Sequence, residues 1–276
     1  MVLAFLPTSE AALESMPGMS LGIASVSQGV YDPTQMLLDI TQGARVADSA
    51  YPYSPPPPLT PAPAGTAARI EGWRRVRARA LAAPQLLVPG LLASSIPGGV
   101  AYVGIAGQSH RDAIAAADRH GDVAAFSIGS AASLPTRLTR LRERWRLIMA
   151  DLATGATGLR QLRDLARSRP PGELLLVAER AGRGTGNELL WMGATGQGRA
   201  SSSGGTNAAP HQEELTSQTT RQRGLIASID IPPTVLHHLH LPVPAQMRGT
   251  PIEARSPLDG AGLRALVSRL RVIGTR

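Results

Sequence analysis

The sequence predicts an α/β fold, a three-layer sandwich in which helices flank a mostly parallel central sheet. Three observations point there. Short apolar runs alternate with amphipathic stretches at helical spacing, the pattern of β-α units that feed a parallel sheet. A hydrophobic share of 43% over 276 residues is enough for a sizeable core. Aromatic residues supply only 3%, so that core must be built from small aliphatic side chains packed between layers. One domain covering 1–276 is expected.

The apolar runs 2–6, 21–25, 100–105, 123–128, 147–151, 174–178 and 225–229 read as strands, with 189–192 a further candidate. Between them, 9–16, 34–43, 68–83, 110–119, 134–144, 158–168, 232–239 and 260–269 carry helical periodicity. Residues 51–63, Tyr-Pro-Tyr-Ser-Pro-Pro-Pro-Pro-Leu-Thr-Pro-Ala-Pro, lack the amide donors that a central strand or a helix interior needs, and read as a surface excursion. The Gly/Ser-rich stretch 196–207 reads as a flexible loop. No internal repeat is visible.

The net charge of +8 raises the question of nucleic acid or anionic lipid as a partner. All 28 basic residues are arginines spread along the chain, and the local clusters at Arg74, Arg75, Arg77 and Arg79 and at 137–146 fall on predicted helices. Only Trp73 and Trp145 adjoin these clusters, too few to form a base-stacking row, so no nucleic-acid partner is expected. The chain has no cysteine, which excludes disulfides, thiolate chemistry and cysteine-ligated zinc. No stretch reaches the roughly 20 apolar residues that span a bilayer, so the chain as it stands is expected to be soluble. The run 2–6 reads as a strand with nothing before it to cover its edge, and the end at 271–276 is as abrupt; both suggest a piece of something longer.

The most informative stretch is 216–252. A strand leads to Asp230-Ile-Pro-Pro233-Thr234, where a proline presets the first helical φ; Leu236 and Leu239 follow at helical spacing, and Pro242 and Pro244 end the helix before Pro244-Ala-Gln-Met247-Arg-Gly249. This segment resembles the C-terminal signature of the alkaline-phosphatase-like superfamily of sulfatases, phosphoglycerate mutases and nucleotide pyrophosphatases: strand, Asp-Ile-x-Pro-Thr, Leu-rich helix, Pro-x-x-Met-x-Gly. Thr219-Thr-Arg221-x-Arg-Gly224, Leu147-Ile-Met-Ala-Asp151 and Pro170-Pro-Gly-Glu-Leu-Leu-Leu-Val177 look like a bacterial, membrane-linked branch of it. The resemblance implies attachment through segments absent from this chain, at the extracytoplasmic face of a bacterial membrane.

Active members place a nucleophilic Ser, Thr or modified Cys at a helix start, where free amides stabilise phosphate or sulfate. Thr34, after Tyr31-Asp32-Pro33, fits that place, with a plain N-cap as the competing reading. The resemblance also implies two metal ions, usually zinc, held by Asp and His to activate that hydroxyl. Here the first strand runs into Pro7-Thr8 instead of Asp-Gly, and 174–178 runs into Glu179-Arg180 instead of Asp-His-Gly. Asp151 and Glu179 are the remaining cation candidates, and Arg180 sets a positive charge where a neutral imidazole belongs. No dinuclear zinc site is expected, although an anion at Thr34, or a pocket lined by Arg45, Arg180 and Arg221, is. The reading is a catalytically degenerate domain that acts as an anion-binding or structural part of a cell-envelope protein and has no cofactor. The alternative is a phosphate or sulfate ester hydrolase, with Thr34 as nucleophile and Zn or Mn on Asp151 and Glu179.

Overall fold

The computed structural model describes residues 1–7, 10–26, 32–51, 55–180, 189–196 and 212–274. Of the Gly/Ser-rich stretch only Gly196 falls within these, and residues 52–54 of the Pro-rich segment lie outside them.

In chain order the first elements are β1 (Val2–Leu6), α1 (Glu10–Glu14), β2 (Ser20–Ser25), α2 (Pro33–Gln42), β3 (Thr60–Ala64), β4 (Ala67–Glu71) and α3 (Trp73–Leu81). Then come α4 (Leu91–Ser94), β5 (Ala101–Ile105), a 3-10 segment (Arg111–Ala116), β6 (Asp122–Val123), β7 (Ala125–Gly129), α5 (Leu134–Arg142) and β8 (Ile148–Asp151). The last third holds α6 (Gly155–Arg167), β9 (Leu175–Glu179), β10 (Leu189–Thr195), β11 (Glu213–Thr216), β12 (Leu225–Ala227), α7 (Ile231–His238), β13 (Glu253–Pro257) and α8 (Gly260–Gly274).

The main sheet has the order β13-β11-β2-β10-β9-β1-β8-β5-β7, with β12 also paired to β2. Strands β9, β1, β8, β5 and β7 run parallel, whereas β10 is antiparallel to both β9 and β2. The ends of β1, β2, β5, β7, β8, β9 and β12 therefore meet at one edge, where an α/β sheet presents its ligand crevice. Helices cover both faces, which makes the sandwich three layers deep. Strand alternation divides β1 between them: Leu3 and Phe5 face the layer of α2, α4, α7 and the 3-10 segment, and Val2, Ala4 and Leu6 face the opposite core.

Strand β1 is not an edge. Val2 pairs with Ile148 on one side and with Leu175 on the other, in the middle of the sheet. The expected helix over 68–83 splits into β4 and α3, because Gly72 adopts φ +85 between them and a Cβ there would stand 2.4 Å from the Pro58 carbonyl oxygen. The Pro-rich excursion ends in β3, the edge of a small β3-β4-β6 sheet, where the missing amides of Pro61 and Pro63 do no harm.

Candidate functional site

Asp151 ends β8 at the crevice edge and is wholly out of solvent. Its cross-strand neighbours fix what reaches it. On β5, Tyr102 pairs with Met149, two residue pairs short of Asp151, and its ring leans over Gly104 so that the hydroxyl donates to Asp151. A Cβ on Gly104 would lie 2.7 Å from that hydroxyl and 2.9 Å from His110 Nδ1, so only glycine allows this close approach. The Tyr102 ring stacks on Phe126 of β7 at 5.2 Å between centroids, and half-buried His110 meets both rings edge-on.

The turn after β5 carries Asp112, also buried, into the same place. Arg180, the residue after β9, occupies the space between the two acids. Its Nε donates to Asp112, and its Nη2 stands 2.5 Å from Asp151 Oδ1 as an ion pair without hydrogen-bond alignment. Its backbone N–H donates to the Leu6 carbonyl at 2.9 Å, which holds the guanidinium at the end of β1.

Two carboxylates around one guanidinium leave a formal excess of negative charge in a buried place. Burial, followed by the charge of Asp112, pushes the Asp151 carboxyl well above the usual carboxylate range, and Arg180 and the Tyr102 hydroxyl pull the other way. Burial also raises the Tyr102 phenol, and the Asp151 charge adds to it. Burial opposes the charge on Arg180, but Asp112 and Asp151 outweigh it and hold the guanidinium above its ordinary value. Burial and then Arg180 push His110 down, so its imidazole favours the neutral form.

A second polar cluster sits along α2. Asp32 caps the helix, its Oδ1 accepting from the amides of Thr34 at 2.7 Å and Gln35 at 2.9 Å. Thr34 is thus the second helical residue and not the cap, and those two amides face a carboxylate the chain already supplies. Deeper in, buried Asp39 accepts from Gln35 at 2.7 Å and Gln42 at 3.1 Å, and burial pushes its carboxyl up to about 8 against the pull of these bonds and of Arg45 and Arg79. Arg79 lies 3.4 Å over the Tyr51 ring.

The signature segment forms a lock against this helix. Asp230 accepts from the Ala227 amide at 2.7 Å, the Thr250 amide at 3.0 Å and the Thr219 hydroxyl at 2.5 Å. Thr234 donates to the Asp230 carbonyl at 2.6 Å and accepts from the Ile252 amide at 2.8 Å. The Arg248 amide donates to the Gly43 carbonyl at 2.7 Å, which ties the Met-x-Gly turn to the end of α2. Asp230 and Thr234 thus act largely through hydrogen bonds to the backbone.

The expected site residues fall in separate surroundings. Arg45 donates to the Ser25 carbonyl at 2.8 Å, with Asp39 and Asp230 as its charged neighbours. Arg180 belongs to Asp112 and Asp151. Arg221 is exposed, with φ +53. Glu179 Oε2 accepts from the Trp191 amide at 2.8 Å. Among the described residues no hydrogen bond or ion pair joins Thr34 to Asp151, Glu179 or Arg180. The residues do not fit a two-cation centre: Arg180 stands between the acids, and no group of three His, Asp or Glu among the described residues is arranged to hold a metal ion.

The sequence reading missed Tyr102 and Asp112. Asp112 carried a usable signal, a single acid in the run Asp112-Ala-Ile-Ala-Ala-Ala117 that otherwise reads as buried. Tyr102 carried none, because its role depends on the register of β5 against β8. Comparison with family models and with curated proteins returns no match for this chain.

Proposed function

We propose that the chain is an alkaline-phosphatase-like domain whose metal centre has been replaced by a buried Asp112-Arg180-Asp151 ion-pair cluster, and that it serves as a structural or binding domain of a bacterial cell-envelope protein. What carries the reading is the guanidinium of Arg180 between two acids at the strand ends. A fixed cation of the chain there neutralises what a metal ion would otherwise neutralise. Two further observations support it. The Asp230-Thr234 motif works as a structural lock, and the amides at the start of α2 are taken by Asp32, which favours a structural role over anion binding at Thr34. The envelope placement rests on the resemblance alone.

The test is elemental analysis of the chain after incubation with zinc and manganese, combined with assays on an aryl phosphate, an aryl phosphodiester and an aryl sulfate. The expected result is metal at background and no turnover that Thr34→Ala removes. Near-stoichiometric metal with Thr34-dependent turnover overturns the proposal and establishes a hydrolase.

A further inference from the structure

Among the described residues three large apolar side chains stand in solvent, and two of them, Leu81 at 79% and Leu86 at 61%, are near neighbours in the chain. Between them Ala82 and Pro84 are exposed as well, and 80–110 contains no Arg, Asp or Glu. The tip that leaves α3 is therefore apolar and uncharged. The helix itself is basic: Trp73, Val76, Arg79 and Ala80 turn inward, while Arg74, Arg77 and Leu81 share the outer face at helical spacing and Arg75 flanks it. Trp73 Nε1 donates to the Arg119 carbonyl at 3.2 Å, which brings exposed Arg119 beside the start of the helix.

Two of the three acids near this face are engaged, while Glu71 is exposed at the end of β4. Asp122 pairs with Arg69 at 2.8 Å, and Asp118 accepts from the amides of His120 and Asp122. None of the ion pairs among the described residues involves Arg74, Arg75 or Arg77.

We propose that this face lies on an anionic lipid surface, with Arg74, Arg75, Arg77 and Arg119 at the headgroup phosphates and Leu81 and Leu86 dipping to the acyl boundary. Charge complementarity selects the occupant. Guanidinium groups bind phosphate, and two leucines beyond the basic row suit the apolar step beneath a headgroup layer. The apolar tip is too small for the roughly 800 Å² per partner of a stable protein interface. The aromatic side chain beside these arginines, Trp73, is buried and so cannot stack on a base. This inference does not depend on the fate of the Arg180 site.

The test is co-sedimentation of the chain with vesicles of phosphatidylcholine alone and of phosphatidylcholine mixed with phosphatidylglycerol, at low and high salt. Each arginine near an anionic surface strengthens binding about fivefold, so with four arginines the mixed vesicles are expected to bind roughly 600-fold more tightly at low salt and to lose most of that at high salt. Leu81→Ser with Leu86→Ser lowers binding about tenfold, and Arg74→Glu with Arg77→Glu removes the preference for anionic vesicles. Thermal melting checks that each variant stays folded. The proposal is overturned by failure to bind mixed vesicles at low salt, or by binding indifferent to both pairs of substitutions. It is also overturned by a dimer that the leucine variant returns to monomer, which would make a second copy the occupant.

Discussion

Arg180 Nη2 stands 2.5 Å from Asp151 Oδ1 while Nε of the same guanidinium holds Asp112, so a single cation serves two buried acids. Removing it leaves both carboxylates unpaired. Arg180→Met is expected to cost about 3–5 kcal/mol in chemical denaturation. The Asp151 carboxyl is already raised, so its contribution to stability is present at low pH and lost as pH rises through its folded value. Without Arg180 that carboxyl rises further, and the loss is larger in mildly alkaline than in mildly acidic buffer. The variant with Asp112→Asn and Asp151→Asn added should recover most of the deficit. Equal loss at all pH values would show that Arg180 acts by packing alone.

Asp39 supplies a second pH dependence. Its carboxyl moves from an ordinary 3.8 up to about 8, because burial outweighs the bonds from Gln35 and Gln42. A raised acid stabilises the fold below its unfolded value, and that stability drains away as pH climbs toward 8, with a slope of up to about 1.4 kcal/mol per pH unit. Asp39→Asn keeps an acceptor for Gln35 and Gln42 and should flatten this slope, leaving the variant more stable than the parent in alkaline buffer. Denaturation curves across that window decide it.

Thr234 is a buried hydroxyl with both a donor and an acceptor role, toward the Asp230 carbonyl and from the Ile252 amide. Thr234→Val preserves shape and removes the hydroxyl to which the Ile252 amide donates, so about 1–3 kcal/mol should be lost. Thr234→Ser keeps the hydroxyl and should lose less than half of that. If serine is as damaging as valine, the methyl group and not the hydroxyl secures the turn.

Gly104→Ala tests the close approach at the strand ends. The added carbon would stand within 3.0 Å of the Tyr102 hydroxyl and of His110 Nδ1, so the tyrosine must leave Asp151, at an expected cost of about 1–3 kcal/mol. The same variant should change the near-ultraviolet signal of Tyr102, which serves as the direct readout. An unchanged spectrum would show that the ring does not need this path.

The layers were legible because periodicity reports them: β1, β2, β5, β7, β8 and β9 lie where apolar runs lie, and α5, α6 and α7 follow the apolar stripe. What escaped has physical reasons. Strands β11 and β13 sit at the sheet margin and carry charged residues, Glu213 and Glu214 in one and Glu253 and Arg255 in the other, so they lack an apolar run. Strand β4 alternates with Arg69 and Glu71 facing out and merges with the α3 pattern until Gly72 breaks it. Asp151, Glu179 and Arg180 were visible as strand-end residues, but the pairing of Arg180 with Asp112 joins segments whose proximity only the sheet order determines.

The central place of β1 also bears on how the molecule assembles. Val2 finds its partners at Ile148 and Leu175, so during synthesis a wholly apolar strand waits with both edges bare until the polypeptide has grown past β8 and β9. Such a strand is a natural client for holding chaperones, and substitutions that slow the arrival of β8 or β9 should reduce the yield of soluble protein before they alter the stability of what does fold.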